Sequence, residues 1–253
     1  MKGPGDVILE AQGLSKVFNG FAAVSGVDLS IREGTIHALI GPNGAGKSTI
    51  FNLLTKFLPP TQGRIFYRGQ DITRQDAAGI AQLGLVRSFQ ISSTFTNLSV
   101  LHNVRLALQR RQGGSHRFWR HERYLDALDE PALALLDRVG LREYAQVRAV
   151  DLPYGRKRAL ELATTLALEP EVMLLDEPMA GLSREDIRGI TQLIAEVAQG
   201  RTVVMVEHNL KVVAQLAQRV TVLARGQVLA EGSYADIAAN PQVRTAYMGR
   251  AHA

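Results

Sequence analysis

A glycine-rich segment followed by lysine and serine constrains the fold of this chain more than any other feature. Residues 41–48 match the pattern G-x-x-x-x-G-K-[ST], in which main-chain N–H groups and the lysine surround phosphate oxygens. An apolar run at residues 35–40 predicts a strand before the motif, and residues 48–57 predict a helix after it. Because the motif requires this order of strand, loop and helix, the sequence predicts an α/β fold with a phosphate-binding loop.

The loop offers two side chains for a nucleotide and its metal ion. Lys47 is expected to reach the β- and γ-phosphates, and the Ser48 hydroxyl is expected to hold Mg²⁺. The expected nucleotide-binding residues of the segment are Gly41, Pro42, Asn43, Gly44, Ala45, Gly46, Lys47, Ser48 and Thr49. A purely structural glycine-rich turn is the alternative.

Two neighbouring acids follow the apolar residues 172–175. We interpret Asp176 as a residue of the Mg²⁺ shell and Glu177 as the base that faces the attacking water. Because neighbouring side chains of a strand point to opposite faces, two adjacent carboxylates are able to serve two purposes. Acids also end strands for structural reasons, and the presence of the phosphate-binding loop favours the catalytic interpretation.

Composition narrows the possible classes of protein. The 253 residues are 46% hydrophobic, which is enough for one α/β core with a small lobe. The absence of cysteine excludes disulfides, thiolate zinc sites and a cysteine nucleophile. The net charge of +5 agrees equally with an anionic partner and with an ordinary arginine-rich surface. Residues 1–13 lack a signal peptide and no apolar run is long enough to span a membrane, so we expect a cytosolic protein.

Predicted strands and helices alternate along the chain. Strands are predicted at residues 7–14, 22–31, 63–67, 171–175, 202–206, 220–224 and 227–231. Helices are predicted at residues 184–199, 209–218 and 233–249, and a helical pattern extends from residue 98 to 168. The first strands indicate antiparallel sheet. The later ones favour a parallel sheet with helices on both faces, around an inserted helical lobe.

One basic segment of that lobe interleaves arginines with aromatic residues. It contains Arg110, Arg111, Arg117, Phe118, Trp119, Arg120 and Arg123. Such a segment is suited to lipid headgroups or nucleic acid, but we favour a solvated loop with one anchoring aromatic pair.

Four further motifs resemble those of the ATP-binding cassette family, and the resemblance covers nearly the whole chain. They are Arg-Ser-Phe-Gln at 87–90, Leu-Pro-Tyr-Gly-Arg at 152–156, Ala-Gly-Leu-Ser at 180–183 and His208. The resemblance implies an α/β P-loop NTPase core with a mixed sheet, an antiparallel β subdomain and an inserted α-helical subdomain. It makes residues 1–253 a single ATPase domain. Residues 1–90 and 165–253 are its core and β subdomain, and residues 91–164 its helical subdomain with the signature motif.

The resemblance also implies roles for individual residues. Phe18 stands where the family stacks an aromatic ring on adenine, with Phe21 as a rival and core packing as the alternative. Gln90 resembles the catalytic glutamine that senses Mg²⁺ and the attacking water, and His208 resembles the histidine that contacts the γ-phosphate. The residues that correspond to the signature contact with the nucleotide of a second subunit are Tyr154, Gly155 and Arg156.

Three residues depart from the family pattern where it crosses the dimer. Pro153 replaces a serine and removes a hydroxyl and an N–H group. Arg156 replaces a glutamine and adds a cation near the expected phosphate, and Ser183 stands where aspartate is common. We therefore expect a weakened contact, made by the main chain at the start of a helix.

Several local matches resemble the ATP-binding proteins of branched-chain amino acid importers. They are the Tyr-Gly signature variant, Ala-Gly-Leu at 180–182, Glu-His-Asn at 207–209, and Asn-Pro at 240–241 before Ala-Tyr-Met-Gly at 246–249. This resemblance implies an ATPase that uses ATP and Mg²⁺ and pairs with a second cassette, identical or different. It also implies docking on integral membrane permease subunits at the inner face of the cell membrane, an indirect solute-binding partner and no nucleic acid.

Other ATPases remain alternatives. Urea and amide importers and a lipopolysaccharide-exporting ATPase have similar motifs. A DNA-associated cassette is less favoured, because residues 90–152 lack the heptads of a coiled coil. A purely regulatory nucleotide-binding module would not need Glu177.

Overall fold

Two β-sheets build the scaffold in the computed structural model, which describes residues 6–88, 94–111 and 127–248. The antiparallel sheet has the strand order β2-β1-β4-β5. Its strands are β1 (Val7–Phe18), β2 (Phe21–Arg32), β4 (Gln62–Tyr67) and β5 (Gln70–Asp71). Asn19 and Gly20 connect β1 to β2 with φ angles of 47° and 84°, the left-handed pair that suits a two-residue hairpin turn.

The second sheet has the order β10-β9-β3-β8-β7-β6 and carries the phosphate-binding loop. Its strands are β3 (Ile36–Ile40), β6 (Leu85–Ser88), β7 (Val172–Asp176), β8 (Thr202–Val206), β9 (Arg219–Ala224) and β10 (Gln227–Gly232). All its pairings are parallel except that of β9 with β10. Because β3, β7 and β8 are adjacent and parallel, the loops that follow them lie at one edge of the sheet.

Helices cover both faces of this sheet. They are α1 (Lys47–Leu54), α2 (Ala77–Gln82), α3 (Val100–Arg111), α4 (Asp129–Arg138), α5 (Tyr154–Leu166), α6 (Arg184–Val197), α7 (Leu210–Leu216), α8 (Tyr234–Ala239) and α9 (Pro241–Met248). Short 3₁₀ turns lie at Arg142–Tyr144 and Ala149–Asp151. Within the described residues, no helix is long and apolar enough to cross a membrane.

Two apolar cores lie on the two faces of the parallel sheet. Leu39 joins the core shared with α1 and the antiparallel sheet, whereas Ala38 and Ile40 join the core shared with α3 to α7. Strands β3 and β8 are buried along their whole length, as expected for a parallel sheet with both faces covered. The loops at the edge of the sheet are thus anchored to strands that are packed on both faces.

The predicted fold class is confirmed, but several boundaries differ. Strand β6 was not predicted, because four residues after Gly84 are too short to show a pattern. The predicted helix 48–57 ends at Leu54, beyond which Lys56 has a φ of 58°. The single tail helix predicted at 233–249 is two helices, since Pro241 begins a new one. The division of the chain near residues 91 and 164 stays a prediction.

A buried histidine makes the stability of this scaffold depend on pH. His37 is fully buried in β3, and its Nε2 lies 2.8 Å from Thr221 Oγ1. Burial lowers its pKa from 6.5 to about 4; the carboxylate of Glu231 opposes this shift and Arg219 adds to it. The unfolded chain therefore binds a proton between these pH values that the folded chain does not. Protonation of the unfolded chain therefore lowers the free energy of unfolding as the pH falls from about 6.5 to about 4.

We expect the variant His37→Gln to lose this pH dependence. The free energy of unfolding of the wild type should decrease by up to about 1.4 kcal/mol per pH unit more steeply than that of the variant in this range. Urea unfolding of both proteins at pH 7.5, 6 and 5 measures the difference. Parallel curves for the two proteins would show that His37 does not carry the effect.

Candidate functional site

Two of the three glycines in residues 41–48 bring the main chain into positions that a side chain would block. Gly41 has a φ of 155°, and a Cβ atom there would lie 2.3 Å from the Leu223 carbonyl oxygen. Gly46 has a φ of 101°, and its Cβ would lie 2.7 Å from the Ala23 carbonyl oxygen. Gly46 also caps α1 without a side-chain hydrogen bond to the first turn. The start of this helix therefore offers N–H groups and a positive dipole end to an anion.

The side chain of Lys47, the first residue of α1, turns back to the start of the loop. Its buried Nζ donates hydrogen bonds to the carbonyl oxygens of Gly41, at 2.8 Å, and Pro42, at 3.1 Å. Burial lowers the pKa of Lys47, and the negative charges of Glu177 and Asp176 oppose this decrease. The fold thus brings the lysine and the two predicted acids into one electrostatic environment, although they lie far apart in the sequence.

The Asp176 carboxylate at the end of β7 is held by an arginine that the sequence analysis did not single out. Arg87 in β6 donates to Asp176 Oδ2 at 2.5 Å and to Asn52 Oδ1 at 2.6 Å. Its guanidinium lies 5.9 Å and 5.8 Å from the ring centroids of Phe51 and Phe57. The contacts with the two rings orient the arginine, and the arginine orients the carboxylate predicted to join the Mg²⁺ shell. The position of Arg87 three residues before Gln90 was the only indication in the sequence that this arginine lies near the site.

Glu177 lies in a turn beyond the strand. The prediction that both acids lie on one strand, with their side chains on opposite faces, is wrong, because β7 ends at Asp176. Glu177 has a φ of 46°, a left-handed conformation that costs a glutamate about 1–3 kcal/mol. Its N–H donates to the Val206 carbonyl at 2.9 Å, which ties the turn to the end of β8. Such strained residues are characteristic of functional sites.

His208 follows the next strand of the sheet and is exposed at the same edge. Its main-chain N–H donates to the carboxylate of the fully buried Glu207 at 2.9 Å. Asn209 accepts hydrogen bonds from the first turn of α7 and thereby ends the loop. The imidazole is thus presented from a short, anchored segment.

The signature residues form the start of α5 and pack against the loop that follows Glu177. Pro153 occupies the N-cap position without a side-chain hydrogen bond. The Tyr154 hydroxyl donates to the Ala180 carbonyl at 3.1 Å. A Cβ atom on Gly155 would lie 2.4 Å from the Asp186 carboxylate, so a larger residue there would displace the Asp186 side chain. The signature helix and the loop at 180–183 therefore form one packed unit.

Two of the departures from the family pattern have local structural roles. Arg156 donates to the Gly140 carbonyl at 3.0 Å and lies over the Tyr144 ring at 5.3 Å. Ser183 caps α6, because its hydroxyl oxygen accepts the Asp186 N–H at 3.1 Å. Serine and aspartate are both good caps, which explains why serine is accommodated here. The contact of Arg156 with a nucleotide across a dimer stays a prediction.

The tip of the first hairpin lies next to the phosphate-binding loop. Phe18 and Phe21 face each other across the turn, with 41% and 69% of their surfaces exposed. These values exclude core packing for Phe18. The Ala23 carbonyl of the same hairpin lies against Gly46, so either ring is near enough to the loop to remain a candidate for adenine.

Two expectations fall on residues outside the described structure. Gln90 lies between the described ranges 6–88 and 94–111, so its roles in catalysis and toward Mg²⁺ stay predictions. The central part of the arginine-rich segment lies between residues 112 and 126, also outside those ranges.

The side chains at the edge of the sheet suit a hard metal ion that arrives with phosphate. The Ser48 hydroxyl and the Asp176 carboxylate are oxygen donors, the type that Mg²⁺ prefers, and Mg²⁺ usually keeps several waters and phosphate oxygens in addition. In the described part of the chain, no group of three or more His, Cys, Asp or Glu residues is placed to hold a metal ion by itself.

Comparisons with known proteins agree with this geometry. The family model described as ABC transporter matches residues 24–180. The LivG protein of Salmonella typhimurium, a high-affinity branched-chain amino acid transport ATP-binding protein, is 38% identical, and the match covers 96% of this chain and 98% of LivG. The chain belongs to the ATP-binding cassette transporter family. It is therefore an ATPase of this family, as the motif resemblance implied.

Solved cassettes have the same fold. The ADP conformation of the cassette MJ1267 superposes with a TM-score of 0.85 at 28% identity, covering 96% of this chain and 99% of that one. A dimeric structure of the bacterial cassette MJ0796 gives a TM-score of 0.76 at 25% identity, with 90% and 99% covered. Cassettes of this shape are thus known with bound ADP and as dimers.

A second family model, described as branched-chain amino acid ATP-binding cassette transporter, matches residues 227–253. This segment includes β10, α8 and α9, and it reaches the phosphate-binding loop. Burial raises the pKa of Tyr247 in α9 to about 12, and the nearby main chain of Gly41 opposes the increase. The last helix of the cassette therefore packs close to the first residue of the loop, a contact that the sequence did not predict.

Proposed function

We propose that this cassette hydrolyses ATP to drive the uptake of branched-chain amino acids through permease subunits in the cell membrane. The observation that carries the proposal is the match of residues 227–253 to the C-terminal model of branched-chain amino acid cassettes. The whole-length similarity to LivG agrees with it. A solute-binding protein would supply the amino acid indirectly, and no nucleic acid takes part.

The proposed mechanism begins with an exchange of partners at the phosphate-binding loop. Lys47 gives up the carbonyls of Gly41 and Pro42 and binds the β- and γ-phosphate oxygens instead. Residues 41–49 surround the phosphates, and all of them except Pro42 have a main-chain N–H to donate. Mg²⁺, when bound, neutralises charge on the phosphate oxygens, with Ser48 and Asp176 as its protein ligands and Gln90 as its sensor. Phe18 stacks on the adenine.

Glu177 and His208 perform the proposed hydrolytic step. The Glu177 carboxylate orients the attacking water and accepts its proton. The His208 imidazole contacts the γ-phosphate from the neighbouring strand end. Both residues leave adjacent parallel strands at one edge of the sheet, so a single phosphate group is within the reach of both loops.

A second cassette completes each proposed site. Tyr154, Gly155 and Arg156 begin α5, whose first N–H groups point away from the helix and face the nucleotide held by the partner cassette. Because Pro153 has no hydroxyl to add, the main chain carries this contact. The partner is a second copy of this chain or a different cassette.

An exposed apolar patch on the helical region provides the proposed permease contact. It consists of Phe95, Leu98 and Val150. Main-chain hydrogen bonds from Ala149 to Leu98 and from Val150 to Thr96, at 2.9 and 2.8 Å, hold its two segments together. Phe95 and Leu98 follow Gln90 closely in the sequence, so we propose that a protein bound there would sense the state of the nucleotide site. A cassette bound through this patch would lie peripherally on the inner face of the membrane.

Reconstitution with branched-chain amino acid permease subunits of the source cell tests the function. Proteoliposomes with these subunits, the cassette and the solute-binding protein should accumulate leucine only with MgATP. Isoleucine and valine should compete, whereas urea should not. Accumulation of urea in place of leucine would contradict the substrate class.

The variant Val150→Asp should abolish co-purification of the permease while the free cassette still hydrolyses ATP. A buried aspartate loses its hydration, which outweighs the contact of one apolar side chain. Val7→Asp is the matched control, because Val7 and Val150 are 41% and 43% exposed and Val7 lies in β1 of the antiparallel sheet, whereas Val150 lies in the 3₁₀ turn Ala149–Asp151. Equal loss of co-purification in both variants would argue against the patch.

A further inference from the structure

A fully buried carboxylate links the two loops that carry the proposed hydrolytic residues. Glu207, at 0% exposure, follows β8 directly. Its Oε1 accepts the N–H of Met179 at 3.0 Å, and its Oε2 accepts the N–H groups of His208 and Asn209, both at 2.9 Å. The three donors belong to two chain segments that are distant in the sequence.

These donors lie beside the residues expected to act on ATP. Met179 is two positions after Glu177, and the Ala180 N–H donates back to the Glu177 carbonyl at 3.0 Å. His208 is itself one of the donors. The Glu207 carboxylate thus holds the turn of Glu177 and the main chain of His208 in one hydrogen-bonded unit.

The arrangement is costly unless the hydrogen bonds compensate for it. A carboxylate withdrawn from water loses several kcal/mol of hydration, and the described residues place no salt-bridge partner on Glu207. Three N–H donors compensate for this loss. An apolar residue in its place would leave all three N–H groups without this acceptor, so the position requires an acceptor with two oxygens.

We propose that Glu207 is a positioning residue, which fixes Glu177 and His208 relative to each other without touching the nucleotide. The inference rests on the roles proposed above for these two residues. It also accounts for the left-handed turn of Glu177, because a strained conformation persists only where its surroundings hold it.

Glutamine at this position tests the role with the smallest change of shape. Its side chain has one acceptor oxygen and one NH₂ group, so either Met179 or the pair His208 and Asn209 would face a donor. One of the two loops should then shift. Because small displacements of catalytic groups are costly, we expect Glu207→Gln to reduce kcat of the full-length cassette by about 10- to 100-fold. The KM for MgATP should change by less than about twofold, since the phosphate-binding loop is not involved.

The same substitution in a second background separates positioning from general damage. In the double variant Glu177→Gln/His208→Ala, the residues through which Glu207 acts are gone. Adding Glu207→Gln should then change the remaining rate by less than about twofold. Equal factors in both backgrounds, or a rise in KM that matches the fall in kcat, would overturn the inference.

Two controls keep the outcome interpretable. Glu231→Gln removes another carboxylate with two side-chain donors, Arg219 and Thr221, and it should leave kcat unchanged, because β10 lies three strands away from β8 in the sheet. If Glu207→Gln does not fold, Glu207→Asp keeps both oxygens and should retain partial activity with a normal KM; full activity would contradict the role. Wild-type hydrolysis by Glu177→Gln alone would remove Glu177 from the proposed mechanism, and it would overturn this inference as well, while leaving the proposed transport function open.

Discussion

Replacement of Glu177 by glutamine is expected to reduce ATP hydrolysis by about 100- to 10,000-fold and to leave MgATP binding intact. Glutamine has the size of glutamate but is unable to accept a proton from the attacking water. Asp176, Lys47 and Ser48 keep their positions, because Arg87 and the phosphate-binding loop hold them independently of this side chain. Single-turnover hydrolysis and calorimetric titration with MgATP measure the two properties separately.

The same variant should also show whether two copies of this chain form a dimer with MgATP. A cassette that is unable to hydrolyse ATP should remain closed around two nucleotides, so Glu177→Gln should elute as a dimer with MgATP and as a monomer without it. Glu185→Gln is the matched control, since this acid lies in the exposed first turn of α6 and should preserve hydrolysis. Hydrolysis at the wild-type rate in Glu177→Gln would remove Glu177 from the mechanism. A lost activity without a dimer would indicate that a different cassette is the natural partner.

The phosphate-binding loop was predictable because its chemistry is contiguous in the sequence. Eight neighbouring residues specify the turn, the lysine and the helix start, and the strand before them is buried on both faces. The fold class followed from the same reasoning, since buried apolar runs that alternate with helices predict a parallel sheet. The acid pair at the end of β7 followed from its position after such a run.

The surroundings of these residues were not predictable, because they depend on tertiary pairing. Arg87 meets Asp176 across 89 positions of the chain, and only the adjacency of β6 and β7 brings them together. The left-handed turn of Glu177 contradicts the local preference of glutamate and exists because neighbouring loops impose it. The hydrogen bonds of Glu207 likewise join segments that no local pattern connects.

Lys47→Ala is expected to weaken MgATP binding by about 100-fold or more. The proposed contacts with the phosphates are charge-assisted hydrogen bonds, each worth about 1.5–3 kcal/mol, and the loss of two of them corresponds to at least two orders of magnitude in affinity. Glu177 and Asp176 add to the effect. In the wild type, Lys47 partly balances their negative charges. In Lys47→Ala these charges would repel the phosphates more strongly.

The variant Lys47→Ala should keep the wild-type fold. A second lysine separates the effect of a lysine on MgATP binding from its effect on stability. Lys47→Ala removes two hydrogen bonds to Gly41 and Pro42, each worth about 1 kcal/mol, so circular dichroism should remain that of the wild type. Lys56, beyond the other end of α1, also has a pKa lowered by burial and donates to the Thr73 carbonyl at 2.5 Å. Lys56→Ala should therefore destabilise the cassette to a similar degree and bind MgATP as the wild type does. Calorimetric titration of both variants with MgATP decides whether Lys47 belongs to the nucleotide site. Unchanged affinity in Lys47→Ala would exclude this loop as the nucleotide site. Equal losses of affinity in both variants would show that the effect comes from the scaffold.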